Sequence, residues 1–348
     1  MIPPAHAALL AATLALLSGV NASKKSASSN GYDAIICGQN GYSDDSGLSY
    51  SANAWNPDDN GFQCLSIINA SSSTTSGFDA TWKWPGDPDA VHSFPHVTFL
   101  SDDLPVTVSN ISALRLAASW AYAPGSISTA DDAGRLDGFD TNGLNDIGAK
   151  ANIAFDMFMD MDKVKAASAT AAKYEMMIWI GQVGNPYPLG FDSENATCYT
   201  QQLGSFNFTL YTGQNSRGTL VYSWVSPADQ TSFDEDITPL LQYLWRNELV
   251  SADARIGLVE FGSEAYHSGN NVTFSAGDFD MNVWLGTPVK FELNPVADHC
   301  EAPESPAGPQ GTGSSSSEKG MGLRAREAPM TGVIVMVVAI VSALASLG

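Results

Sequence analysis

The chain has 348 residues, of which 44% are hydrophobic, 10% aromatic and only 15% charged, with 31 glycines and 18 prolines. This balance suits a strand-rich globular protein with many turns and aromatic surfaces, and it leaves little room for long amphipathic helices. Its 16 Lys and Arg against 37 Asp and Glu give a formal net charge of -21. The resulting field repels phosphates, which excludes nucleic acid as a partner, and it keeps a secreted chain soluble in an acidic medium.

Read in chain order, Met1 to Ala22 reads as a signal peptide, with an apolar stretch from Ala7 to Leu17 and small or β-branched residues, Val20 and Ala22, before the cut. Ser23 to Asn30 is a polar lead. From Tyr32 to about Leu293 the chain alternates strand-like runs with Gly, Pro, Asn and Ser. These runs are Thr81 to Trp84, Ala118 to Tyr122, Ala151 to Met157, Tyr174 to Ile180, Ser205 to Tyr211, Leu220 to Val225, Gly257 to Phe261 and Met281 to Trp284. They predict one all-β domain over residues 23–300.

A single helix interrupts the strands. Asp234 to Asn247 places Ile237, Leu240, Leu241, Leu244 and Trp245 at helical spacing, with Pro239 in the first turn, so the helix packs on the outside of a sheet. Beyond Cys300, residues 301–322 are rich in Pro, Gly and Ser and read as a stalk. Residues 323–348 end in the apolar run Thr331 to Leu347 with no basic flank after it. That order reads as a lipid-anchor signal, with a single membrane helix as the alternative. Either reading puts a secreted domain at the cell surface, facing outward, and it is expected to act as a monomer.

Four cysteines, Cys37, Cys64, Cys198 and Cys300, remain in an oxidising route, so disulfides are expected. Three pairings are possible. Cys37 with Cys64 is preferred, because it staples the first two strands. Sequons at Asn69, Asn110, Asn195, Asn207 and Asn271 fit the same route, Asn207 falling inside a strand-like run.

Two segments carry candidate chemistry. Cleaving a glycosidic bond needs one carboxyl to protonate the departing oxygen and another to attack the anomeric carbon or activate water. In Tyr174 to Gly181, period-two alternation puts Glu175, Met177 and Trp179 on one face and Met176, Ile178 and Ile180 on the other. A carboxylate thereby shares a face with an indole able to stack on a sugar. In Val259 to Tyr266, Glu264 stands two residues after Gly262, where a substrate or a second backbone can approach closely. Other constellations fail. His92 and His96 are four apart but Pro95 lies between them, so a helical metal pair is excluded, and the stretch Asp131 to Asp146 lacks the glycine and terminal glutamate of a calcium loop. No phosphate loop and no Gly-x-Ser-x-Gly elbow is present.

The blocks Ala118-Ser-Trp-Ala-Tyr122, Asn152-Ile-Ala-Phe-Asp-Met-Phe158, Tyr174-Glu-Met-Met-Ile-Trp-Ile-Gly181 and Glu260-Phe-Gly-Ser-Glu264 resemble, in order and spacing, those of glycoside hydrolase family 12, the endoglucanase and xyloglucanase family. The resemblance covers about Ile36 to Trp284 and implies a jelly roll of two curved antiparallel sheets with a concave cleft. It implies Glu175 as nucleophile, Glu264 as acid/base and Asp156 as the aspartate beside the nucleophile, with no metal and no organic cofactor. Trp55 matches a sugar-contacting tryptophan, although Ala52-Asn53-Ala-Trp-Asn56 departs from the family's Asn-Asn-x-Trp-Gly. Asn53, Met177, Trp179 and Trp120 complete the expected substrate contacts, with Trp82, Trp84 and Tyr122 as further aromatic candidates. The implied substrate is an internal β-1,4-glucan bond, with xyloglucan as the same-class alternative. A non-catalytic glucan-binding or wall-remodelling surface protein is the reading from another class.

Overall fold

Period-two alternation organises the residues that the computed structural model describes, 32–43, 47–68, 76–126, 138–191 and 199–295. The expected signal peptide, stalk and tail, together with Asn69, Asn195, Cys198 and Cys300, lie outside them. The first half of the domain holds β1 (Ala34–Cys37), β2 (Gly41–Ser43), β3 (Leu48–Ser51), β4 (Phe62–Ile68), β5 (Gly77–Lys83), β6 (His96–Phe99), β7 (Val106–Thr107) and β8 (Ile111–Pro124). Next come α1 (Thr141–Asp146), β9 (Lys150–Asp160), α2 (Lys163–Ala166) and β10 (Tyr174–Val183). The remainder is β11 (Tyr199–Leu203), β12 (Phe206–Gln214), β13 (Leu220–Val225), β14 (Ser232–Asp236), α3 (Thr238–Arg246), β15 (Arg255–Gly262), β16 (Ala265–His267) and β17 (Val272–Leu285).

The strands form the two sheets of a jelly roll. One has six strands in the order β1-β4-β5-β17-β8-β14. The other has eleven, with the path β11-β12-β13-β10-β9-β15-β6-β3-β2 and with β16 and β7 pairing β9 and β15 at its side. The strand pairs are antiparallel as expected, with one departure: β10 and β13 run parallel, Glu175 opposite Val221.

The inner faces of both sheets meet in one core. Phe155, Met157 and Met159 of β9 and Met176, Ile178 and Ile180 of β10 pack with Phe78, Trp82, Leu116 and Phe274 from the other sheet. Each side chain of this size contributes about 1.5–3 kcal/mol when fully buried. The preferred disulfide is present: Cys37 and Cys64 are directly opposed on β1 and β4, with Cα atoms 4.1 Å apart. Closing a loop of 27 residues stabilises the fold by about 3 kcal/mol in the chain-entropy account.

Four aromatic candidates belong to this core and not to a sugar platform. Alternation along β8 turns Leu116, Ala118, Trp120 and Tyr122 inward, and along β5 it does the same to Phe78, Ala80 and Trp82, with Trp84 following. Each polar tip has a partner inside. Trp120 Nε1 donates to the Gln230 carbonyl at 2.7 Å, Trp82 Nε1 to the Tyr122 hydroxyl at 2.7 Å and Trp84 Nε1 to Ser93 Oγ at 3.0 Å. An indole can be buried completely when its N–H is satisfied. Trp120 is therefore a core residue, which corrects its expected role in substrate binding.

The first three residues of the predicted helix are strand. Ser232–Asp236 pairs with β8, burying Phe233, and only Thr238–Arg246 is helical, with Pro239 at its start. Asp236 Oδ1 ends the strand and opens the helix, accepting from Leu114 N at 3.1 Å and Thr238 N at 3.0 Å. Two further short helices, α1 and α2, are opened by Asp140 and Asp162, whose side chains accept from first-turn backbone N–H groups.

Candidate active site

The outer face of the eleven-stranded sheet carries the ionisable groups. Strand β10 turns Glu175, Met177 and Trp179 away from the core, opposite Phe158, Asp156 and Ala154 of β9. Met177, Trp179, Ala154, Tyr211, Val221 and Val225 form a second, smaller apolar cluster there, with Phe191 packed on it. This cluster floors a cavity of about 300 Å³ whose walls include Glu175, Glu264, Arg217, Tyr266, Trp55 and Tyr187. A more open depression of about 500 Å³, lined by Thr98 to Asp102, Leu104, Pro105 and Leu258, has Asp102 as its ionisable group. The chemistry lies in the smaller cavity.

Glu264 is held from three sides. Asn152 Oδ1 accepts from the Glu264 backbone N–H at 2.9 Å, which fixes the amide so that Nδ2 donates to the Glu264 carboxylate. The Tyr266 hydroxyl donates to Glu264 Oε2 at 3.2 Å. Burial pushes the Glu264 carboxyl up to about 7, while the hydrogen bonds from Tyr266 and Asn152 pull the other way.

Glu175 has a similar anchor on the β12–β13 turn. Asn215 Oδ1 accepts from Arg217 N at 3.0 Å and Thr219 N at 3.1 Å, so its Nδ2 faces Glu175 Oε2 at 3.4 Å. Burial and then the Glu264 charge raise the Glu175 carboxyl to about 7, against the opposing influence of Arg217 and Asn215. Asp156 is buried opposite Met177 on one side and Glu260 on the other, and its Oδ1 has no hydrogen-bond partner among the described residues. Burial, followed by the charges of Glu175, Glu260 and Glu264, holds its carboxyl well above the usual carboxylate range.

The structure thus brings Glu175, Glu264, Met177, Trp179 and Trp55 to one cavity, with Asp156 in the sheet beneath. Trp55 is 51% exposed on the rim. Asn53 is not among the residues lining the cavity; it adopts φ 44° and its carbonyl accepts from Phe94 N at 3.2 Å. Asn152, Asn215, Arg217, Tyr266, Glu260 and His96 were not legible as site residues. Among the described residues, no group of three or more His, Cys, Asp or Glu side chains is arranged to hold a metal ion.

Two ionisable carboxyls facing one open cavity, over an apolar floor and beside exposed aromatic rims on a jelly roll, define a glycoside hydrolase. The glycosyl hydrolase family 12 model matches residues 139–285. The chain is 25% identical over 233 residues to the xyloglucan-specific endo-beta-1,4-glucanase A of Emericella nidulans, covering 66% of this chain and 83% of that protein. It is 26% identical over 223 residues to the enzyme of the same name from Aspergillus aculeatus, covering 64% and 79%. Among solved structures, the catalytic domain of Humicola grisea Cel12A with a soaked thio-cellotetraose superposes with a TM-score of 0.57 at 26% identity, over 72% of this chain and 99% of that one. The family 12 xyloglucanase of Bacillus licheniformis shares the fold, with a TM-score of 0.55 at 18% identity over 72% and 100%. Over these residues the chain is similar to glycoside hydrolase family 12 in both sequence and fold.

Proposed function

We propose that the protein is a retaining endo-β-1,4-glucanase in which Glu175 is the nucleophile and Glu264 the acid/base. The observation that carries this reading is that both carboxyls line the same cavity, each held by its own asparagine. Ionised Glu175 attacks the anomeric carbon while protonated Glu264 gives its proton to the departing glycosyl oxygen. Water then hydrolyses the covalent intermediate, with Glu264 taking the water's proton. Burial keeps the proton on Glu264 at mildly acidic pH, and Arg217 and Asn215 favour the ionised form of Glu175. Because the two carboxyls interact, their protons leave in two steps that belong to the pair. Asp156, protonated, shares a proton with Glu175 and avoids a further buried anion.

The open cavity suits an internal bond of a chain, and the exposed rings of Trp55 and Tyr187 offer stacking faces to neighbouring sugars. Xyloglucan is the second reading, favoured by the names of the curated relatives. Export with loss of residues 1–22, and attachment to the cell surface through residues 323–348 after a stalk at 301–322, complete the proposal. The test is a reducing-sugar assay on cellulose, barley β-glucan and xyloglucan with the protein and with Glu175→Gln. Release of sugar by the protein and not by the variant supports the reading, and release from none of the three overturns it.

A further inference from the structure

Four neighbouring strands, β6, β15, β9 and β10, carry His96, Glu260, Asp156 and Glu175 in a row on the outer face of the larger sheet. Glu260 lies directly opposite Asp156, and Asp156 is one diagonal step from Glu175. Only Glu175 lines the cavity. His96 and Glu260 stand behind it, their side chains 8% and 9% exposed, with Nε2 3.2 Å from Oε1.

The proton positions in this pair follow from its neighbours. His96 Nδ1 lies 2.7 Å from the Phe94 carbonyl, which can only accept, so Nδ1 carries hydrogen. Two lone pairs do not face each other at 3.2 Å, so a proton also sits between Nε2 and Glu260 Oε1. Thr98 Oγ1 donates to that same oxygen at 3.3 Å, which marks it as a carboxylate acceptor and His96 as the cation. Burial alone would lower the imidazole's pKa, but Glu260 and the hydrogen bonds to Glu260 and Phe94 leave it raised. The Phe94 ring, 5.1 Å away and nearly parallel, fixes the imidazole plane.

The pair is neutral as a whole but polarised, with its anionic end toward Asp156. The charged groups that bear on Asp156 are Glu260 from β15, Glu175 from β10 and Glu264 beyond β15. We propose that His96 and Glu260 are a positioning pair for the glycosidase centre: His96 fixes Glu260 as an anion, and that anion keeps the proton on Asp156, so that Asp156 meets Glu175 as a neutral acid. The pair rests on the reading of Glu175 as nucleophile and extends it by two residues that touch no substrate.

The experiment is the pH profile of kcat/KM on barley β-glucan for the protein, Glu260→Gln and the double variant His96→Gln with Glu260→Gln, with Glu175→Gln alongside. Removing the anion lowers the pH at which Glu175 ionises, so the acid limb moves toward acid by about half a pH unit or more, a roughly threefold rate change on that limb, while the alkaline limb set by Glu264 stays in place. The double variant, a neutral amide pair of similar shape, moves the acid limb in the same direction and keeps the proposal testable if the single variant folds poorly. A lower melting temperature with an unmoved acid limb in both variants overturns the proposal and leaves the pair a structural one. An active Glu175→Gln instead overturns the underlying assignment of the nucleophile, and so separates the two failures.

Discussion

Replacing Glu175 by Gln is expected to stabilise the fold while abolishing activity, and the size of the gain depends on pH in a way the site dictates. The carboxyl is raised from its ordinary 4.5 to about 7 in the folded protein. Between these values the folded state holds a proton that the unfolded state has lost, so folding stability falls as pH rises through that window. At about 1.36 kcal/mol per pH unit, the rise corresponds to a ceiling of roughly 3 kcal/mol of native-state destabilisation at alkaline pH. Part of it comes from Glu264, which remains in the variant, so a gain of about 1 to 3 kcal/mol is expected. The amide keeps the shape and still accepts from Asn215, so no cavity opens. Urea unfolding at several pH values measures this directly: the variant and the parent should unfold alike near pH 4, about 0.5 unit below the ordinary value, and should differ most above pH 7. A difference that is constant with pH, or that turns against the variant as pH rises, would refute the argument that burial and like charge raise this carboxyl.

Further expectations follow from the same geometry. Trp120→Ala, which empties a core site and strands the Gln230 carbonyl, should cost about 3–5 kcal/mol in urea unfolding. Trp55→Ala, at the exposed rim, should leave stability within about 0.5 kcal/mol and instead raise KM on long glucans. Replacing Cys37 and Cys64 by Ser should lower stability by about 3 kcal/mol by removing the closed loop, with little change in kcat. Asn152→Ala should reduce kcat and move the alkaline limb of the profile up, because Glu264 loses a donor that favours its ionised form.

Much of this site was readable because strand alternation is a short-range property. Glu175, Met177 and Trp179 share the outer face of β10 as period two requires, and the core set Met176, Ile178 and Ile180 is likewise as expected. What alternation could not decide is which face of a strand meets the other sheet. In β8 and β5 the aromatics look like sugar platforms in sequence but turn inward, where Gln230, Tyr122 and Ser93 satisfy their N–H groups. The helix begins late because Phe233 pairs as a strand residue across β8, a tertiary contact that helical spacing through Ile237 conceals. Long-range partners were hidden for the same reason. His96 and Glu260 are 164 positions apart, Asn152 and Glu264 112, and only sheet register unites them. His96 was read against a metal site, whereas its partner is a carboxylate on the neighbouring strand. The parallel pairing of β10 with β13 has no signature in either strand and places Val221 and Ser223 beside Glu175 and Met177.

The most direct test of the central claim is azide rescue with stereochemical readout on an activated aryl glucoside. Removing the nucleophile with Glu175→Gly should abolish hydrolysis, and added azide should then occupy the vacated space and give a glycosyl azide of inverted configuration. Glu264→Gln should still form the glycosyl-enzyme from this substrate, since the aryl leaving group needs little protonation, and azide should restore turnover with a product of retained configuration. In that case the two carboxyls should also lie about 5–5.5 Å apart in an experimental structure of the enzyme. The inverted azide product from the Glu264 variant, with the retained product from the Glu175 variant, would contradict the account and exchange the two roles.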